Sequence, residues 1–283
     1  MIKLGLIGYP LQGSYSPEIH NAALGFSKLP GDYYLFPVRP DDIQLLKRIL
    51  QRVRRGELLG LNVTIPLKQL ILPLLDEITP TAQAIGAVNT ISTLNGKLIG
   101  NNTDAPGFLT DLKKLLPETI WDNKGNNNAL VFGGGGSARA ITYALVNEGW
   151  NVTFATRRPQ NAQTFLNHFS DHDSKISNIE LKANSIRSLK FPLHLIINAT
   201  PLGMSPQIEY SPWPAGLSYP QTAVFYDLVY NPRETKFVLD ARAAGLLAIT
   251  GLGMLVEQAA LAFELWTGCV VPREYLFAAV EDK

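Results

Sequence analysis

Two side chains stand out as able to move a proton, a lysine and an aspartate, each at the start of a helix. Lys68 closes the stretch Gly60-Leu61-Asn62-Val63-Thr64-Ile65-Pro66-Leu67-Lys68. There an apolar strand, Leu58 to Thr64, ends and Pro66 opens a helix expected over Leu67 to Leu75. A cation in a helix's first turn opposes the macrodipole, whose positive end lies there. A local rule broken without structural gain points to function. The same dipole eases release of the ammonium proton, as a general acid requires. Asp104 ends Gly100-Asn101-Asn102-Thr103-Asp104 and leads into a helix over Ala105 to Leu116, with Pro106 in its first turn. Alone it reads as an N-cap. Beside a helix-start lysine at another strand terminus, it becomes half of a Lys/Asp pair. Ser14 and Ser16 add two hydroxyls at a strand-to-helix junction, where open α/β sheets bind ligands, although Ser16 also reads as an N-cap before Pro17.

A second chemistry lies in Ala129 to Ala140, where an apolar run meets four glycines, Gly133, Gly134, Gly135 and Gly136, followed by Ser137, Ala138 and Arg139. The expected helix continues to Gly149, a left-handed stop, and a second strand follows over Asn151 to Thr156. The spacing Gly133-x-Gly135-x-x-Ala138 lets backbone approach a pyrophosphate at a helix N-terminus. A site for NAD usually carries an acid about 20 residues further on, at the end of the second strand. Here that end reads Thr156-Arg157-Arg158, with no carboxylate between Glu148 and Asp171. Two guanidiniums suit a dianionic 2′-phosphate, so the expected cofactor is NADP.

These residues need a scaffold of alternating strands and helices. Strands are expected at Ile2 to Ile7 and Tyr33 to Val38, and a helix at Asp41 to Arg54. A short helix follows at Pro80 to Ile85. Asn95-Gly96 between apolar runs marks a hairpin. Near the C-terminus, a strand over Leu247 to Thr250 precedes helical patterns at Met254 to Trp266 and Arg273 to Val280. A chain of 283 residues is long for one core, so two domains are expected. Net charge of +1 gives no reason to expect a nucleic-acid surface. No apolar run reaches membrane-spanning length and no signal peptide is visible. The single cysteine, Cys269, rules out an intrachain disulfide and reads as a buried thiol, so a cytoplasmic location is expected. His168 and His172 fall in a polar segment read as a surface loop, and no metal site is expected. Asn123 to Asn128 reads as a mobile polar turn.

The ordered motifs together resemble the shikimate dehydrogenase family over nearly the whole chain. They are Ser14-Tyr15-Ser16-Pro17-Glu18-Ile19-His20-Asn21, Asn62 to Lys68, Gly86 to Thr90, Gly100 to Asp104, Asn198 to Met204, Tyr226 to Pro232 and Gly251 to Ala260. Departures are modest: Thr156-Arg157-Arg158 replaces the family's Asn-Arg-Thr, and Leu228 stands where methionine is common. The resemblance implies an α/β protein: an N-terminal substrate domain (1–104 with 253–283) and a doubly wound, Rossmann-type NADP domain (105–252), with the active site in the cleft between them. It implies NADPH-dependent, reversible reduction of 3-dehydroshikimate to shikimate, a small-molecule substrate, and a monomer or homodimer. Ser14 and Ser16 would hold the carboxylate. Asn62, Thr64, Asn89, Asp104, Tyr230 and Gln258 would surround the ring hydroxyls, with Lys68 and Asp104 catalytic. NADP would lie against Gly133 to Ser137, Thr156, Arg157, Arg158, Thr200, Leu228, Gly251 and Met254. Two rival readings are a quinate/shikimate dehydrogenase of relaxed specificity and a catalytically silent NADP-binding sensor.

Overall fold

The first strand, β1 (Ile2–Gly8), is buried from Leu4 onward, and the helix that follows it, α1 (Ser16–Phe26), returns along the sheet to β2 (Gly31–Pro37). This computed structural model describes residues 1–122, 126–157, 159–169 and 175–281. Next come α2 (Ile43–Arg54), β3 (Gly60–Val63), α3 (Leu67–Leu70), β4 (Glu77–Ile78), α4 (Pro80–Ile85) and the pair β5 (Thr90–Leu94) and β6 (Lys97–Asn101). They form a mixed sheet of order β2-β1-β3-β5-β6-β4. Strands β1, β2 and β3 are parallel, whereas β5 and β6 form the antiparallel hairpin marked by Asn95-Gly96. Helix α2 buries Leu46, Ile49, Leu50 and Val53. That is the i, i+3, i+4, i+7 stripe of an amphipathic helix, and it joins Ile7, Leu61, Val63 and Ile91 in one core.

Two local expectations change here. The helix after Pro66 stops at Leu70 and gives way to a 3₁₀ turn, Leu72–Leu74, instead of running to Leu75. Pro73 has no amide hydrogen to bond back along an α-helix. Ser16 is the first helical residue and not the N-cap, which is Tyr15 without a side-chain bond. The Ser16 amide instead donates to Ser14 Oγ at 3.3 Å.

Helix α5 (Asp104–Leu115) leads to α6 (Glu118–Asp122) and a second sheet. Its elements are β7 (Asn128–Phe132), α7 (Gly136–Asn147), β8 (Asn151–Thr156), α8 (Pro159–His168), β9 (Ile176–Glu180), α9 (Ala183–Arg187), β10 (Leu195–Asn198), β11 (Val224–Asp227), α10 (Lys236–Ala243) and β12 (Ala248–Ile249). All its pairings are parallel, in the order β12-β11-β10-β7-β8-β9. This is the doubly wound arrangement, with its switch point between β7 and β10, directly above the glycines. Strands β7, β10 and β11 are buried at every residue, as expected of a parallel sheet covered on both faces. Gly149, at φ +90°, ends α7 as expected. The chain closes with α11 (Leu252–Thr267) and α12 (Arg273–Ala278).

The chain divides into two compact units, Met1–Gly107 with Val256–Lys283, and Phe108–Leu255. Both divisions fall inside a helix, α5 and α11, a few residues beyond the expected positions. Of the polar stretch Asn123 to Asn128, read as a mobile turn, residues 123–125 lie outside the described residues, while Asn128 opens β7. Asn127 and Asn128 are buried, and Asn128 donates from its amide to His194 Nδ1 at 3.1 Å and from Nδ2 to the Pro192 carbonyl. His168 ends α8 and does not lie in a loop, while His172 lies outside the described residues. Cys269 is half-buried. Among the described residues, no helix is long and apolar enough to cross a membrane.

Candidate active site

In the first unit, Lys68 and Asp104 meet. The chain leaves β3 with the Thr64 amide bonded to Ile7 O, and the Lys68 carbonyl accepts from the Val88 amide at 2.8 Å. These bonds tie the start of α3 to β1 and to the segment before β5. Lys68 Nζ donates to Asp104 Oδ2 at 2.6 Å, and their side chains are only 13% and 5% exposed. Asp104 does not cap its helix. Asn102 does so, its Oδ1 accepting from the amides of Asp104 and Ala105 at 3.0 and 3.2 Å. The Asp104 carboxylate is thereby left for side chains: Oδ2 faces Lys68 and Oδ1 accepts from Asn89 Nδ2 at 2.9 Å. Burying two charges is costly, and short charge-assisted bonds of this kind offset that cost.

Asn89 is the junction of the site. Its Nδ2 also lies 2.9 Å from Thr103 Oγ1 and 3.3 Å from Gln258 Oε1, while Oδ1 accepts from the Thr103 amide at 2.7 Å and from Thr90 Oγ1 at 3.0 Å. Asn62, 5% exposed, donates from Nδ2 to Asn89 O and Thr90 Oγ1. Its Oδ1 accepts from Tyr33 OH at 2.8 Å. Tyr33 in turn stacks on His20, ring centroids 4.4 Å apart. Burial takes His20 down to about 3, so it is neutral at working pH. Five expected residues, Lys68, Asp104, Asn89, Gln258 and Asn62, thus share one hydrogen-bonded network. Thr64 follows the last residue of β3, Ser14 lies in the loop from β1 to α1, and Ser16 opens α1; β1 and β3 are paired at Ile7 and Val63. Sequence reasoning missed Tyr33, Thr90, Asn102 and Thr103 as members of this network. Their signal was weak, although polar residues inside apolar strands, as Thr90 and Tyr33 are, ask for a partner.

The second unit holds the residues expected around the cofactor. Gly133 has φ +118°, and a Cβ there would stand 2.9 Å from the Ala199 carbonyl. A Cβ on Gly134 would meet Thr156 at 3.3 Å, whereas Gly135 faces open space. Gly136 and Ser137 begin α7 beyond this turn. The backbone therefore presents a side-chain-free concave turn at the N-terminus of α7, which fits a pyrophosphate. Thr156 ends β8 buried, and Arg157 beside it is exposed. Arg158 lies outside the described residues. A strand terminus with an arginine and no acid fits a 2′-phosphate.

The remaining cofactor residues are set by buried polar contacts. Thr200 turns its hydroxyl back to Asn198 Oδ1 at 2.6 Å, which orders the turn after β10. Asp227, fully buried at the end of β11, accepts from Asn198 Nδ2 and the Val229 amide, both at 2.9 Å, and from Thr235 Oγ1. Burial pushes its carboxyl up to about 7, against those three donors. A Cβ on Gly251 would run into the Leu228 carbonyl, so loop and helix start touch through backbone alone. A Cβ on Gly253 would collide with Asp111 Oδ1. Asp111 accepts from Tyr226 OH at 2.6 Å, and burial with this carboxylate holds the tyrosine hydroxyl well above its ordinary range. Met254 is buried in the first turn of α11, and Tyr230 is half-buried in the loop after β11.

Comparison with known proteins agrees with this arrangement. Residues 6–91 match the shikimate dehydrogenase substrate binding domain, and residues 251–281 match the shikimate 5′-dehydrogenase C-terminal domain. The shikimate dehydrogenase (NADP(+)) of Salinibacter ruber is 40% identical, over 97% of this chain and 95% of its own length. That of Methanocaldococcus jannaschii is 37% identical, over 99% and 96%. The structure of shikimate 5-dehydrogenase from Thermus thermophilus, in complex with NADP(H) and shikimate, superposes with a TM-score of 0.84 at 38% identity, covering 99% of both chains. Whole-length likeness at this identity, over both a substrate domain and a dinucleotide fold, places the chain in one group: it belongs to the shikimate dehydrogenase family.

Proposed function

We propose that this chain reduces 3-dehydroshikimate to shikimate reversibly, with NADPH as the reductant. The observation that carries the reading is the buried Lys68–Asp104 pair, held by Asn89 in a domain whose relatives are shikimate dehydrogenases. When bound, NADPH supplies the hydride. Lys68 places an ammonium where negative charge grows on the carbonyl oxygen, stabilises it and donates the proton that makes the alcohol. Asp104 accepts a hydrogen bond from Nζ and so fixes its position.

Ser14 and Ser16 suit the substrate carboxylate as hydroxyl donors, and Thr64, Asn89, Tyr230 and Gln258 suit its ring hydroxyls. Asn62, whose amide is engaged at both ends, acts by holding Asn89 and Thr90 in place. The glycine turn from Gly133 to Ser137, together with Thr156, Arg157, Arg158, Thr200, Leu228, Gly251 and Met254, would hold NADP. A chain with one half-buried free cysteine suits a reducing compartment, and we place the reaction in the cytoplasm.

The test is the rate of nicotinamide reduction with shikimate and quinate, each offered with NADP and with NAD, and with Lys68→Ala as control. Preference for shikimate with NADP by orders of magnitude, and a dead variant, is the expected result. Equal use of quinate or NAD would give the place to an enzyme of relaxed specificity. Tight NADPH binding without turnover of either acid would mark a sensor.

A further inference from the structure

Arg139 stands in the opening turns of α7, three residues after Gly136, and is 5% exposed. Among the described residues it has no ion pair, and its Nε has no hydrogen-bond acceptor. Its guanidinium lies over the ring of Phe165 on α8, 5.2 Å from the centroid, and Phe165 stacks on Phe154 of β8 at 4.2 Å. A buried cation without an anion is among the costlier arrangements a fold can hold, and one ring face returns only part of that cost. The charge also sits near the positive end of the α7 macrodipole, which opposes it a second time.

The topology says which anion would relieve it. Right-handed crossovers from β7 to β8 and from β8 to β9 put α7 and α8 side by side on one face of the sheet. Helical side chains lean toward their own N-terminus, so Arg139 leans toward the glycine end of α7. Its contact with Phe165 places it on the side of α7 that faces α8, the helix that follows the C-terminal end of β8 at Thr156 and Arg157. This is the strand terminus where a dinucleotide's adenosine ribose is read.

We infer that Arg139 is the buried member of a two-guanidinium 2′-phosphate site whose exposed member is Arg157, and that it sets the preference for NADP over NAD. This rests on the NADP reading above. Arg157 meets the phosphate from solvent, while Arg139 supplies a fixed positive potential from a weakly hydrated position, where charge acts over a longer range.

The experiment measures binding calorimetrically with adenosine 2′,5′-bisphosphate and with AMP, which differ only in the 2′-phosphate and need no turnover. Wild-type protein is expected to prefer the bisphosphate; if it does not, the NADP reading falls and this inference with it. Arg139→Met keeps the aliphatic stem and removes the charge. It is expected to weaken the bisphosphate by about tenfold or more, the effect of losing one charged partner. AMP should stay within about twofold, and the ligand-free protein should melt no lower than wild type. Arg139→Lys, which keeps the charge, should retain most of the preference. Equal weakening of both ligands in Arg139→Met, or no weakening of either, would show that Arg139 only packs α7 against α8 and would overturn the inference. Loss of the whole preference in Arg139→Lys, which keeps the charge, would likewise overturn it.

Discussion

Asn102 caps the helix that Asp104 begins, its Oδ1 receiving the amides of Asp104 and Ala105 at 3.0 and 3.2 Å while its Nδ2 donates to the Ala87 carbonyl at 2.9 Å. An aspartate at a helix start ordinarily caps its own helix. The neighbouring asparagine takes that task and leaves both carboxylate oxygens of Asp104 for Asn89 and Lys68.

Asn102→Ala should therefore cost about 1 kcal/mol of stability through the lost cap, and it should also lower kcat, because Asp104 is then drawn toward the helix amides. Chemical denaturation and steady-state kinetics separate the two effects. A stability loss with unchanged kcat would show that Asp104 keeps its place unaided.

Lys68→Ala is expected to lower kcat by roughly 10²- to 10⁴-fold, the usual contribution of a positioned general acid. Asp104→Asn should lower it through misplacement of Nζ, since an amide NH₂ facing an ammonium repels it. NADPH binding, followed by its fluorescence, should change in neither. Lys68→Arg should not restore the rate, because a guanidinium holds its proton too tightly to donate it. A rise in KM with kcat unchanged would assign the pair to substrate binding alone.

Two buried groups give the stability opposite pH dependences. His20, lowered to about 3, is neutral in the fold yet protonates on unfolding below its ordinary 6.5, so it makes stability rise with pH between about 3 and 6.5. Asp227, raised to about 7 from 3.8, keeps its proton in the fold while the unfolded chain loses it, so it makes stability fall as pH rises through that window. Urea melts across pH 4 to 7 should be flatter for wild type than for either variant, on the scale of about 1.4 kcal/mol per pKa unit. Asp227→Asn should show stability rising with pH, and His20→Phe should show it falling. Identical slopes in all three would remove both groups from the account.

Gly253→Ala should be strongly destabilising, since its methyl group would collide with the Asp111 carboxylate, which holds Tyr226. A drop in melting temperature of several degrees is expected. Adding Asp111→Ala should recover part of it by opening the space, and no recovery would place the strain elsewhere.

Much of this was readable from residue order. Lys68 announced itself because a helix-start cation breaks a rule, and Gly133 to Gly136 because a strand precedes them and a helix follows. Arg157 was legible because it falls where a carboxylate usually stands. The losses have physical causes. Pro73 shortened α3 through an absent amide hydrogen that the helical pattern around it concealed. Asn102 sits in a run of polar residues in which any one could serve as a cap. Nothing in the residues around Arg139 signals its burial, and Tyr33 is one of two adjacent tyrosines until the fold shows which is buried: Tyr33 is 5% exposed and Tyr34 38%.

The first unit is assembled from both ends of the chain. Trp266 of α11 donates from Nε1 to the Ile91 carbonyl at 3.0 Å and lies against Gly60, where a Cβ would overlap its ring. Arg273, at the start of α12, is bonded to the buried Glu257. On the ribosome, the β1–β6 sheet is therefore made before the glycine-bearing sheet, yet it lacks α11 and α12 until that second sheet has been made. The order of folding should run against the order of synthesis, and nascent chains cut short of Trp266 should bind nucleotide while the earlier-made sheet is still open to protease.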